Sequence, residues 1–304
     1  MPRDDLTPAR RLSERNVLLD EVRRSRAADT LVRLGAAFSS LGRAEEAIGF
    51  YEKALHDYRE AGDSRGEALT LSSLGAAYWQ CGELEQAASA FAQSVALYHA
   101  LGIEDREATA LNCLGMVTDA LGDLDAAIGY HEQALALLWE AGDQPGEAAT
   151  LDVIGIAQRR RGDFMAAQEA HEHALRIWRQ LRDRAGEASC RHALAMLYEA
   201  MGDTERALTY YEWALRLRQS IDDRVGEALT SYNLAKLYER LSLLREAEAL
   251  LQRAVDIEAL LNMPEAAADE VELVSIRERR RQAGLPRPDD TTGRFPRLNL
   301  DGRD

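Results

Sequence analysis

Lysine is almost missing from this chain. Only two of its 37 basic residues, Lys53 and Lys236, are lysines, so 35 are arginines. With abundant alanine, that skew points to a high-GC bacterial genome and says nothing about mechanism. Acidic residues number 52, and the net charge of -15 argues against nucleic acid as the main partner, because phosphate binding needs a basic footprint. Cysteine is scarce too. Cys81, Cys113 and Cys190 are an odd number without metal-ligand spacing, which fits a reducing compartment and excludes a disulfide framework. Apolar stretches run to only a few residues, too short to span a bilayer, and Met1 to Leu12 has no apolar core of a secretory signal. A cytoplasmic location is therefore expected. The 21 glycines and 7 prolines are too few for a low-complexity or collagen-like chain. The glycines fall singly between apolar stretches, and none forms a phosphate-cradling loop.

What the chain does contain is a repeat of forty residues. Gly35, Gly75, Gly115, Gly155, Ala195 and Ala235 recur at that interval, each behind a large aliphatic residue. Seven residues later comes Gly42, Gly82, Gly122, Gly162, Gly202 and then Ser242. Five further on stand Ala47, Ala87, Ala127, Ala167, Ala207 and Ala247. A second small column holds Ala54, Ser94, Ala134, Ala174, Ala214 and Ala254. No insertion breaks the register between residues 26 and 265. Periods of this length mark stacked repeat architectures.

Each unit reads as two helices. Leu71, Leu74, Ala77 and Tyr78 recur at helical spacing until Gly82 ends the stretch. Ala87, Ala88, Phe91, Val95 and Tyr98 line one face of the next stretch, which Gly102 ends. The turns after the second helix often carry Asp, a cap for the helix that follows. The small columns have a packing reason: where two helices cross closely, larger side chains would push the backbones apart. One such pair cannot bury its own face, so neighbours must stack on it.

These residues resemble the tetratricopeptide repeat in its forty-residue form, found in kinesin light chain, Pins-type adaptors and actinobacterial regulators. The family pattern is met by Leu71, Leu74, Gly75, Tyr78, Gly82, Ala87, Phe91 and Val95. The resemblance covers about four-fifths of the chain. It implies an all-α, right-handed superhelix (an α-solenoid) of six helix pairs with terminal capping helices. On this reading residues 1–25 are an N-terminal capping helix or arm, and 26–265 hold the six repeats. Residues 266–283 form a C-terminal capping helix, and 284–304, with three prolines and few apolar residues, form a mobile tail.

The resemblance also implies where a partner would sit: the concave groove lined by the first helix of each repeat. One column of that face reads Val32, Ser72, Asn112, Asp152, His192 and Tyr232, and the next Arg33, Ser73, Cys113, Val153, Ala193 and Asn233. A third holds Ala36, Ala76, Met116, Ile156, Met196 and Lys236, and a fourth Ser39, Trp79, Asp119, Arg159, Glu199 and Glu239. Ser72, Ala76, Asp152 and Ile156 do not supply the basic clamp by which chaperone-binding members hold a C-terminal carboxylate. Only Asn233 matches the asparagine ladder of the Pins-type and kinesin-light-chain adaptors. What remains is an apolar floor of Met116, Ile156 and Met196, flanked by Asn112, Asp152 and His192, with Arg159 and Arg160 at the rim. Methionines suit adaptable binding surfaces. The same residues can equally finish the core between adjacent helices. The expected partner-binding set is Asn112, Cys113, Met116, Asp152, Val153, Ile156, Arg159, Arg160, His192, Met196, Tyr232, Asn233 and Lys236.

Catalysis is not expected. Asp152 and His192 hold equivalent positions on successive first helices and, with Cys113, sketch a nucleophile–base–orienter set, but nothing supplies an oxyanion hole. His131 and His171 replace the aromatic of Tyr51, Phe91 and Tyr211 and read as packed core histidines. His171 and His173 do not share a helix face, so no metal or cofactor is expected. The runs Arg159–Arg161 and Arg279–Arg281 end helices, where cations complement the dipole. The function expected is a non-catalytic protein- or peptide-binding scaffold. The alternative is a ligand- or peptide-sensing module acting on a separate effector in bacterial signalling or transcription. Self-association through the unpaired last helix stays open.

Overall fold

Asp and Gly punctuate the fold. The computed structural model describes residues 26–288, and every regular element among them is helical. The first helix, α1, covers 26–40. It is followed by α2 (Ala44–Ala61), α3 (Ser64–Gln80), α4 (Leu84–Leu101), α5 (Glu104–Ala120), α6 (Leu124–Ala141) and α7 (Gln144–Arg161). Then come α8 (Phe164–Leu181), α9 (Arg184–Ala200), α10 (Thr204–Ser220), α11 (Arg224–Arg240), α12 (Leu244–Leu261) and α13 (Ala266–Gln282). The expected arm over 1–25 and the tail from 289 onward lie outside the described residues.

Within each unit, connections of two to four residues force successive helices to double back on one another. At Gly142 the chain enters the left-handed region, φ 70°, and ends α6. Asp143 then accepts a hydrogen bond from the Gly146 amide at 3.1 Å and caps α7. Asp63 and Asp223 cap α3 and α11 in the same way, each accepting from the glycine three residues on at 2.9 Å. The caps satisfy amides that no helical carbonyl can reach. After α8 the left-handed turn falls on Arg182, φ 57°, where an L side chain is strained.

The small-residue columns sit where the pairs cross. A Cβ on Gly115 would lie 2.6 Å from Cε1 of His131, and one on Gly35 the same distance from the Tyr51 ring. Glycine there lets α2, α4 and α6 each lay a flat ring against the backbone of the helix before. The fold is that of an α-solenoid. Contacts divide it between Asp163 and Phe164 into two compact units.

In the first unit, α3 packs on α2 and α4, and α5 on α4 and α6. Leu71, Leu74, Ala77 and Tyr51 form one buried cluster, and Phe91, Leu114, Val117 and Ala87 another. In the second unit, Leu194, Leu197, Tyr211, Leu215, Leu234, Leu250 and Leu251 are buried, and Leu273 and Ile276 seat α13 on α12. None of the described helices is long and apolar enough to cross a membrane.

Candidate functional site: the first-helix faces of the two units

First helices touch one another as well as their partners: α3 meets α5, and α5 meets α7. Residues at equivalent repeat positions on these helices therefore form rows across the first unit. One row is exposed and apolar. Met116 on α5 keeps 47% of its surface, and Ile156 on α7 keeps 37%. Trp79, one turn beyond Ala76 on α3, also keeps 37%. Leu69, two turns before Ala76, extends the strip. Val153 and Cys113 are half-buried beneath it.

The polar row beside the strip is tied into the structure. Asn112 donates through Nδ2 to Thr150 Oγ1 of α7 at 2.8 Å, and its Oδ1 lies 2.9 Å from Nδ1 of His131 on α6. A carbonyl oxygen can only accept, so the ring nitrogen carries the proton in this bond. Asn112 thus clamps three helices. His131 is buried, and burial pulls its pKa down to about 4, against the field of Asp119, which acts to raise it. Cys113 is kept as a thiol, because burial pushes its pKa up. Asp152 is half-buried in the same row.

Charges along this edge are mostly compensated. Arg160 pairs with the Asp119 carboxylate and donates to its backbone carbonyl at 3.3 Å. Arg161 bridges Asp125 and Asp163 at 2.9 and 3.1 Å. Arg159, half-buried one turn beyond Ile156, makes no ion pair among the described residues. It leaves one uncompensated cation beside the strip.

The second unit has a different character on its first helices. His192 is buried on α9, edge-on to Tyr211 with ring centroids 5.3 Å apart. Its Nε2 accepts from Asn233 Nδ2 at 3.2 Å, and its Nδ1 lies 3.3 Å from Thr230 Oγ1. Thr230 also accepts from buried Arg218 at 2.7 Å and donates to the Gly226 carbonyl at 2.9 Å. Met196 is half-buried. Lys236 is held by Glu239 at 2.8 Å and by Glu272 of α13 at 2.5 Å. Burial works to lower its pKa, but the two carboxylates outweigh that and hold the ammonium above its ordinary range. Arg279 pairs with Glu239, and Arg240 with Glu199. Tyr232 hydrogen-bonds Glu272; burial and that carboxylate raise its hydroxyl pKa.

The thirteen residues expected at the site therefore fall eight on the first unit and five on the second. Met116, Ile156 and Arg159 present themselves to solvent, whereas Asn112, His192, Asn233 and Lys236 are engaged within their own unit. Cys113 and Asp152 belong to the first unit and His192 to the second. His131 and His171 are core residues, as their column implied. Two members of the strip, Leu69 and Trp79, were missing from the expected set. The signal was present, since Trp79 shares a column with Arg159 and Leu69 lies seven residues before Ala76. Thr150 and Thr230, in a column that also holds Thr30, Thr70, Ala110 and Cys190, likewise take part in the hydrogen-bonded networks.

The fold has counterparts among solved structures. It is similar to BtubC (BKLC) from P. vanneervenii, at 23% identity over 72% of this chain and 92% of that one, with a TM-score of 0.62. Aspartyl phosphate phosphatase F from Bacillus subtilis matches at 12% identity over 88% of this chain and 74% of that one, TM-score 0.63. A Rap protein solved in complex with Competence and Sporulation Factor matches at 16% identity over 83% and 75%, TM-score 0.58. No curated protein sequence matches the chain. A family model for the tetratricopeptide repeat matches residues 26–100, 106–180 and 154–220. With the repeated columns, the ring-on-glycine crossings and this match together, the chain belongs to the tetratricopeptide repeat family.

Proposed function

We propose that this protein is a non-catalytic scaffold that binds a protein or peptide segment on the first-helix face of its first unit. The observation that carries the reading is the exposed strip of Trp79, Met116 and Ile156 on three adjoining helices. Large apolar side chains aligned in this way cost solvation unless a partner covers them. Arg159 at the edge suits a segment that is amphipathic and acidic, since a cation without an internal partner can pair with a bound carboxylate. Packed helices hold the strip rigid before binding, so little order is lost when a partner arrives. The second unit contributes less on this reading, because Lys236, Glu199, Glu239 and Arg240 on its first-helix face are already paired.

The test is affinity capture from lysate of the native organism with three baits: wild type, Ile156→Arg and Trp139→Arg. Trp139 is exposed on α6, a second helix, and controls for an apolar surface elsewhere. The expected result is a protein held by wild type and Trp139→Arg and lost from Ile156→Arg, with all three baits giving the same helical circular dichroism. Equal capture by all three overturns the assignment of the face. Capture by none, with a small molecule raising the melting temperature of wild type, favours the sensing module instead.

A further inference from the structure

A buried carboxyl sits where the first four repeats use an apolar plug and the fifth uses Arg218, whose buried guanidinium donates to the Gly226 carbonyl and to Thr230. At the end of each second helix, one side chain packs against the start of the next first helix. Tyr58 and Tyr98 fill this place in the first unit, and both are buried. In the second unit Trp178 lies against Gly186, within 2.4 Å of where a Cβ would stand. The equivalent residue at the junction of α12 and α13 is Glu258, only 4% exposed, and its Oε2 has no hydrogen-bond partner among the described residues. Across from it on α13 is Asp269, within hydrogen-bonding reach. Glu265, in the turn before α13, adds a third negative charge to both. From α11, Lys236 faces Asp269 and Tyr232 faces Glu272, the next carboxylate along α13. Lys236 is itself held between Glu239 and Glu272.

Two carboxylates in contact, with Glu258 buried and Asp269 half-buried, repel each other when both are ionised and no cation lies between them. The rest of α13 has no such conflict. Its later turns are anchored by buried Leu273 and Ile276, by the Arg277–Glu248 pair at 3.3 Å, and by Arg280 on Glu248 and Arg279 on Glu239. The weak point is therefore confined to its first two turns.

We propose that the N-terminal half of α13 is a proton-locked cover: it seats on α12 when Glu258 and Asp269 share a proton, and lifts when that proton leaves. Lifting takes Glu272 away and frees Tyr232 and Lys236 on the α11 face. Burial and the neighbouring acids raise Glu258 to about 7 and raise Asp269 as well, so the seated form binds more protons than the open one. Seating is accordingly favoured at low pH and weakens as pH rises towards 7. This device does not depend on the partner-binding face proposed for the first unit.

The experiment is amide hydrogen exchange on the full chain between pH 5 and 8.5, with rates normalised to intrinsic exchange at each pH. Wild-type peptides spanning 262–273 should lose protection by up to about tenfold per pH unit below pH 7 and level off above it, the slope of one released proton. Peptides from α10 should stay constant. Glu258→Gln, which mimics the protonated side chain, should keep 262–273 protected at every pH, and Asp269→Asn should flatten the profile too. Wild-type protection that does not change with pH overturns the proposal, as does an unchanged slope in Glu258→Gln. Should one variant lose its helical circular dichroism, the other decides by the same comparison.

Discussion

Acid should weaken the first unit through His131. The unfolded imidazole takes up its proton near pH 6.5, whereas burial holds the folded one to about 4. Between those values the unfolded chain carries the extra proton, so stability rises with pH across the window. The stabilisation is complete above about pH 6.5 and is lost as pH falls towards 4. A difference of that size corresponds to about 3 kcal/mol at most, at 1.36 kcal/mol per pH unit. Carboxylates also lose their pairings in acid, so a variant has to isolate the histidine. His131→Phe suits the purpose, because Phe91 fills the same place over Gly75, with ring atoms 3.0 Å from where a Cβ would stand. At pH 7 the variant should be less stable by about 1–2 kcal/mol, since the Asn112 carbonyl loses its donor. That gap should close or invert by pH 4.5. Urea unfolding followed by circular dichroism at half-unit pH steps measures it, and amide exchange in α5 and α6 assigns the loss to the first unit. Wild-type and variant stabilities that run parallel between pH 7 and 4.5 would refute the reasoning.

Other outcomes follow from the helix crossings and turns. Gly115→Ala gains helix propensity of about 1 kcal/mol but drives a methyl into the His131 ring, a cost of about 1–3 kcal/mol, so net destabilisation is expected in a urea melt. Gly129→Ala, with nothing within 4 Å of its new Cβ, takes the propensity gain alone and should stabilise by about 0.5–1 kcal/mol. Arg182→Gly should stabilise by about 1 kcal/mol by relieving a left-handed backbone that Gly62 and Gly142 adopt without strain at the same point of earlier repeats. An unchanged or lower unfolding midpoint would show that Arg182 makes compensating contacts.

How much of the face was legible in the sequence depended on the kind of residue. Met116 and Ile156 could be assigned to the first-helix face by column alone, because helical periodicity fixes direction. Whether a polar residue on that face is available could not be read this way. Asn112 and Asn233 look like binding residues in a column, yet each spends its amide on a histidine of its own unit. Lys236 looks like a free cation, but Glu239 lies three residues on and Glu272 thirty-six, and only packing brings the second within reach. Cys113, Asp152 and His192 share neighbouring columns as well, but the first two lie in one compact unit and the third in the other.

Spacing by itself determined the helices, their stops, their pairing and the family, because a forty-residue register leaves each side chain only one face to occupy. Glycine and aspartate at the turns, and small residues at the crossings, express local backbone and steric limits that any fold must respect. The tertiary structure decided which polar groups were already spent, giving the Arg218 plug its partners and leaving Glu258 Oε2 without one among the described residues. It alone set Glu258 against Asp269 and left Arg159 beside an open apolar strip. Those outcomes depend on distances between residues far apart in the chain, where desolvation and pairing energies are fixed by contacts that no column of a repeat contains.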